Sequence, residues 1–183
     1  MTTEDKLKLL ADASQYDLSC ACGTSDQDRR HRGKNGTWLY PVSLPRGGYG
    51  IMLKTLLSNA CANDCKYCPF RAEREVKRCT LEPAETADYF LSIARQMGLM
   101  GIFLSSGVVK DANYTMDRML EVARLLRRRH QYRGYIHLKV LPGASDAAVT
   151  EAVGIANAVS VNIEVPGQKH FEKLSARKNF TKD

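Results

Sequence analysis

Short apolar runs alternate with longer amphipathic segments along this chain, and that alternation predicts an α/β fold of successive βα units around a parallel sheet. Two further observations agree. Pro-Gly pairs close two of the apolar runs, at Pro142-Gly143 and Pro166-Gly167, where a strand has to turn. The runs also alternate apolar and polar side chains, which gives each strand two unlike faces. Four βα units follow one another, and right-handed crossovers curl such units into a barrel or a doubly wound sheet.

The elements follow in order. Residues Thr3 to Asp17 predict a helix with Leu7, Leu10, Ala11 and Ser14 on one face. Cys20 to Gly50 is rich in Gly and polar residues and reads as irregular. The first strand is Ile51 to Leu57. The first helix of the repeating units is Pro83 to Met97, with Pro83 at its first position and Gly98 as its stop. The second strand, Gly101 to Leu104, ends in Ser105-Ser106-Gly107. The next helix runs from about Met116 to His130, capped by Thr115 and stapled by Tyr114 against Met119. A third strand spans Tyr135 to Leu141. Ser145 caps a helix over Asp146 to Ala156. A fourth strand covers Ala158 to Val165, and a last helix begins near His170. This divides the chain into an N-terminal helix with an irregular basic segment, 1–50, and a βα portion, 51–183.

At 183 residues, 44% hydrophobic and 26% charged, the chain suits a soluble globular protein with one core. No apolar run reaches the length of a membrane span, and the charged N-terminus lacks a signal-like segment, so a cytoplasmic protein with no membrane partner is expected. The net charge of +7 suits a phosphate-bearing partner such as nucleic acid. The basic Gly-containing stretch carrying Arg29, Arg30, Arg32 and Lys34 supplies candidate phosphate contacts. Arg127 to Arg129 end a helix, where cations meet the dipole, and read as structural.

Six cysteines in a reducing compartment point to ligands or free thiols rather than disulfides. Three of them, Cys61, Cys65 and Cys68, share one loop directly after the first strand, spaced C-x3-C-x2-C with Tyr67 before the third. Three thiolates can hold three irons of a four-iron, four-sulfur cube and leave the fourth iron open to a small molecule. A structural zinc site is the competing reading, but it wants four closed ligands, and neither His31 nor Cys79 completes a usual spacing. Cys20, Cys22 and Cys79 form no complete ligand set and read as free thiols. The strands' polar faces carry Lys54, His137, Lys139, Asn162 and Glu164. Inside a barrel such a face makes a poor packed core and a good chamber for a polar ligand.

The cysteine motif resembles that of the radical S-adenosylmethionine enzymes. So do the runs Tyr16 to Cys20, Leu53 to Arg71, Phe103 to Gly107 and Tyr135 to Lys139, which resemble more closely the members of that superfamily assigned to DNA modification or repair. The resemblance covers nearly the whole chain. It implies a partial TIM-type (βα) barrel of six units, of which this chain supplies about four, as the N-terminal part of a longer protein would. It implies a [4Fe-4S] cluster held by the three cysteines, S-adenosylmethionine as the second cofactor, an electron donor and a DNA or nucleotide substrate. By the same resemblance Tyr67 lies beside the adenine, and Asn162 and Glu164 hold the ribose hydroxyls. Ser105, Ser106 and Gly107 stand where many relatives have Gly-Gly-Glu against the methionine amino group. The glutamate is absent here, which leaves serine hydroxyls and backbone carbonyls as acceptors. Lys54, His137 and Lys139 become candidate substrate or cofactor contacts. The alternatives are a non-catalytic nucleic-acid-binding module built on an iron–sulfur or zinc site, or an inactive fragment of the enzyme.

Overall fold

The structure, a computed structural model, describes residues 1–16, 30–33, 36–44 and 47–181. Six strands form one open, mixed sheet in the order of the sequence: β1 (His31–Arg32), β2 (Trp38–Ser43), β3 (Tyr49–Leu56), β4 (Gly101–Ser105), β5 (Tyr135–Lys139) and β6 (Ala158–Ser160). β1, β2 and β3 pair antiparallel, and β3 to β6 pair parallel. The helices are α1 (Thr3–Ala13), α2 (Pro83–Met97), α3 (Ala112–Arg124), α4 (Asp146–Ile155) and α5 (Gln168–Leu174).

The four parallel strands are the four expected from the sequence. Their register puts Leu53, Ile102, Leu104, Ile136, Leu138 and Val159 on one face, in the core shared with Leu7, Leu10, Phe90, Met116 and Met119 of the helices. This is the helix-covered side of a βα fold. The opposite face carries Lys54, Phe103 and His137 in one row across three strands, with Ser105, Lys139 and Ser160 nearer the carboxyl ends. Among the described residues no helix is long and apolar enough to cross a membrane.

Local chemistry explains most boundaries. Thr2 and Asp5 form a reciprocal capping box at α1, which ends at Ala13 and tightens into a 3-10 turn over Ser14–Tyr16. Leu7, Leu10, Ala11 and Ser14 are all buried, the face expected from their spacing. At α2, Glu82 and Glu85 make a capping box around Pro83, and Gly98 ends the helix at φ 63°, the left-handed conformation that favours glycine.

Three expectations are corrected. Residues 30–50 are not all irregular: β2 pairs with Tyr49 to Leu53 of β3 and widens the sheet. Pro41 sits within β2, where pairing with β1 has already ended at Leu39, so it occupies an edge that tolerates a missing N–H. α3 begins one turn before Thr115. The Asp111 side chain accepts from the Tyr114 N–H (2.8 Å) as its cap, while the Thr115 hydroxyl accepts from the Val109 N–H (2.9 Å). The fourth parallel strand stops at Ser160 rather than Val165. Val161 and Ile163, which fall within the expected strand, are 54% and 88% exposed, because among the described residues the ladder with β5 ends at the Lys139–Ser160 pair.

α3 ends in a π-helical turn, Leu125–Arg129. There Arg127 donates to the carbonyls of Tyr132 (2.8 Å), Gly134 (2.7 Å) and Ile155 (3.2 Å) and to the Asn157 side chain (2.6 Å). It ties α3 to the start of β5 and the end of α4.

Candidate active site

The cysteine loop leaves the carboxyl end of β3, and the carboxyl ends of β4 and β5 open beside it. Together they border a cleft of about 780 Å³. Small-molecule sites commonly measure about 300–1,000 Å³ and lie at this end of parallel strands. Cys61, Cys65 and Cys68 all line the cleft. Cys65 is buried and the other two are half-buried.

The loop is fixed from three directions. First, the end of β4 crosses beneath it: Gly107 donates to the Ser58 carbonyl (2.7 Å) and Ala62 donates to the Val108 carbonyl (2.7 Å). The Val108 N–H points at Cys61 Sγ (3.4 Å). Gly107 has to be glycine, since a Cβ there would overlap the Ala60 carbonyl oxygen and lie 3.2 Å from Cys61 Cβ. Second, the chain after the loop folds back. The Phe70 N–H points at Cys68 Sγ (3.4 Å), and the Asn59 side chain brackets residue 78 by bonding the Lys77 carbonyl and the Cys79 N–H (2.8 Å each). The Arg78 guanidinium donates to four backbone carbonyls, of Asn59 (2.5 Å), Phe70 (2.8 Å), Arg71 (2.9 Å) and Arg74 (2.9 Å). Third, the segment after α5 latches on. Asp64 accepts from the Ser175 hydroxyl and from the N–H groups of Ala176 (3.0 Å) and Arg177 (3.3 Å), and Lys66 N–H donates to the Leu174 carbonyl (2.9 Å). The Ser175 hydrogen bond, with the two backbone N–H groups, holds the Asp64 carboxyl down at about 2.

Burial pushes the Cys65 and Cys68 thiols up, partly offset at Cys65 by the Lys178 charge and at Cys68 by the Phe70 N–H and then by Arg78. A thiol of this kind becomes a ligand when a cation takes the place of its proton. Among the described residues, no three His, Cys, Asp or Glu side chains converge as the ligands of a single metal ion would. A cube binds each thiolate to a different iron, so its ligands stand farther apart than those of zinc. Three thiols around one cleft, two of them approached by backbone N–H groups, fit the donor set of such a cluster.

The remaining sequence candidates divide. Tyr67, Ser105, Ser106, Gly107, Lys139, Asn162 and Glu164 border the cleft with the cysteines. Tyr67 is 55% exposed, but partial burial and then a hydrogen bond to Glu164 raise its phenol above the ordinary range. Ser106 turns its hydroxyl to the Gly107 carbonyl (2.7 Å). Glu164 forms an ion pair with Lys178 (3.5 Å), both side chains well shielded. Lys54 and His137 lie elsewhere. Lys54 is fully buried, its ammonium over the rings of Tyr40 (5.3 Å) and Phe103 (5.0 Å), because β2 covers that end of the polar face. His137 packs on Phe103 and shares a hydrogen bond with Ser160 Oγ (2.9 Å).

Arg32 stacks on Trp38 (4.3 Å) and pairs with Asp12 (2.9 Å), and Arg30 approaches the same ring (5.5 Å). Arg29, Lys34, Cys20 and Cys22 lie outside the described residues. Cys79 is half-buried, with its thiol near the Lys6 carbonyl (3.8 Å). Sequence reasoning missed Arg78, Lys178 and Asp64. Asp64 had the one legible signal, a position inside the cysteine spacing.

No family model matches the chain. Over 107 residues it is 31% identical to the 2-iminoacetate synthase of Escherichia coli (strain K12), a match covering 58% of this chain and 25% of that protein. Among solved structures it is similar to methylornithine synthase (PylB), with a TM-score of 0.57 and 18% identity over 71% of this chain and 38% of that one. It is also similar to the FeFe-hydrogenase maturase HydG from Carboxydothermus hydrogenoformans, with a TM-score of 0.58 and 21% identity over 72% and 30%. The chain thus spans a quarter of the length of the curated relative and less than two fifths of these structures. At these identities the structural likeness shows a shared α/β fold. None of these three proteins is named for DNA modification or repair.

Proposed function

We propose that this chain is the cluster-bearing part of a radical S-adenosylmethionine enzyme. The observation that carries the reading is the placement of Cys61, Cys65 and Cys68 around one cleft at the carboxyl ends of the parallel strands. When bound, a [4Fe-4S] cluster of this kind supplies the electron that splits the sulfonium of S-adenosylmethionine into methionine and a 5′-deoxyadenosyl radical. The chain's own residues hold, orient and shield. The three thiolates would hold three irons. Ser105, Ser106 and the backbone at Gly107 offer hydrogen-bond acceptors beside them for an amino group. Asn162 and Glu164 offer an amide and a carboxylate to a diol, with Lys178 fixing the carboxylate and Tyr67 presenting a ring face at the rim.

Anaerobic reconstitution with iron and sulfide, reduction and addition of S-adenosylmethionine tests this. A reduced-cluster EPR signal that changes on adding S-adenosylmethionine, with release of 5′-deoxyadenosine, is the expected result, and Cys65→Ala abolishes both. A wild-type chain that takes up no cluster overturns the proposal.

The finer reading, action on DNA or a nucleotide, draws on the sequence resemblance and on Arg30 and Arg32 flanking Trp38 at the β1 edge. Cations beside an aromatic ring suit a stacked base and its phosphate. Salt-dependent binding of a single-stranded oligonucleotide that weakens in Arg30→Ala and Arg32→Ala is expected, and equal binding by all three proteins counts against it.

A further inference from the structure

Arg78 stands outside the cysteine loop and touches none of the thiols by hydrogen bond, yet it is the most heavily bonded side chain around them. Its four acceptors have a particular arrangement. Asn59 lies two residues before Cys61, Phe70 lies two residues after Cys68, and Arg71 and Arg74 continue from there. One planar cation therefore joins the entrance of the loop to its exit. Asn59 in turn grips the backbone on both sides of Arg78 through the Lys77 carbonyl and the Cys79 N–H, so the guanidinium is itself fixed in place. The Ser58 and Thr80 hydroxyls meet at 2.7 Å just outside this pair and complete the closure. Only arginine has the donors for this: a guanidinium offers five N–H groups in a rigid plane, whereas a lysine ammonium offers three from a single point.

The position also matters for charge. Arg78 bonds the Phe70 carbonyl, and the Phe70 N–H points at Cys68 Sγ, so the guanidinium charge lies near enough to Cys68 for its field to be felt there. Three thiolates around an iron–sulfur cube make a net anion, whose reduction adds another negative charge. A fixed cation beside one ligand stabilises the reduced state and raises the potential.

We infer that Arg78 is a positioning residue, which closes the cysteine loop before any cluster arrives and places its guanidinium charge beside the exit of the loop, next to Cys68. This inference rests on the proposed cluster-binding function, and its test separates the two. Wild type, Arg78→Lys and Arg78→Gln are reconstituted anaerobically. The rate of iron loss to a ferrous chelator and the cluster's reduction potential are then measured on each, with the apo-protein's far-UV spectrum as a check of fold.

Outer-shell partners of metal ligands typically change metal affinity by about 10- to 100-fold, and a change of that order is expected in the rate of iron loss from Arg78→Gln, with a more negative potential. Arg78→Lys keeps the charge and loses most of the carbonyl bonds, so it releases iron faster than wild type while holding a potential near the wild-type value. Iron retained at the wild-type rate by a folded Arg78→Lys overturns the inference, and that variant decides alone if Arg78→Gln does not fold. A potential that moves equally in both variants overturns the charge role. A wild-type chain that binds no iron instead overturns the function on which the inference rests.

Discussion

Single residues set the tolerances of the cysteine loop. Gly107 is the tightest of them, because the backbone at the end of β4 passes directly under Ala60 and Cys61. Gly107→Ala forces either the β4 end or the loop to move. Overpacking of this kind costs about 1–3 kcal/mol, and a fall of that size is expected in urea unfolding, with poorer uptake of iron and sulfide. Unchanged stability and loading would mean that the loop yields more easily than its contacts imply. Lys54 shows the opposite relation between sequence and structure. Its place in a strand made it a natural candidate for the ligand chamber, but Tyr40 closes over it from β2, a strand that its own neighbourhood in sequence does not announce.

At the scale of elements, carboxylates tie the helices together and make the assembly sensitive to acid. The Glu85 carboxylate of α2 is held below its usual range first by the Glu82 N–H (3.1 Å), and further by the Thr3 hydroxyl (3.1 Å) and Lys6 (3.3 Å) of α1. The Arg124 guanidinium does the same for Glu151, joining α3 to α4 by two 2.7 Å bonds. A depressed carboxyl binds its proton more readily in the unfolded chain. The stabilisation is therefore complete above the ordinary glutamate value of about 4.3, and is lost as the pH falls from there through the lower folded-state values. Melting temperature is expected to be flat from neutrality to about pH 5 and to fall below it, with a smaller fall in Glu85→Gln. An acid limb of equal depth in the variant would remove Glu85 from the explanation.

What was legible in the sequence was local. Pro83 and Gly98 bound α2 because helix ends obey short-range rules. Ser145 caps α4 for the same reason. What escaped depended on partners remote in the chain. β2 was hidden by Pro41 and by a basic, Gly-containing approach, and only pairing with β3 makes it a strand. The Val161 to Val165 alternation looks like a strand, but alternation cannot show whether a neighbour exists to receive it. The cysteines were readable from spacing alone. The closure by Arg78 was not, because its acceptors are backbone carbonyls and any residue can supply one.

At the scale of the whole molecule, the sheet's two margins differ. β1 is only two residues long. At the other margin, β6 leads into the exposed side chains of Val161 and Ile163. An apolar edge of this kind invites pairing with other chains. Ile163→Lys is expected to leave stability within about 0.5 kcal/mol and to lower aggregation measured by light scattering, since an exposed side chain contributes little to the fold. A variant that aggregates as the wild type does would place the sticky surface elsewhere.

The latch between Asp64 and Ser175 spans 111 residues of sequence, and its fellow bonds from Ala176 and Arg177 span slightly more. That separation carries a consequence for timing. On the ribosome the three cysteines emerge long before the segment that secures them, so the loop waits without its latch while the intervening residues are made. Metal delivery that waits for residues 175–178 meets a finished loop, and delivery that comes earlier meets thiols exposed to oxidants.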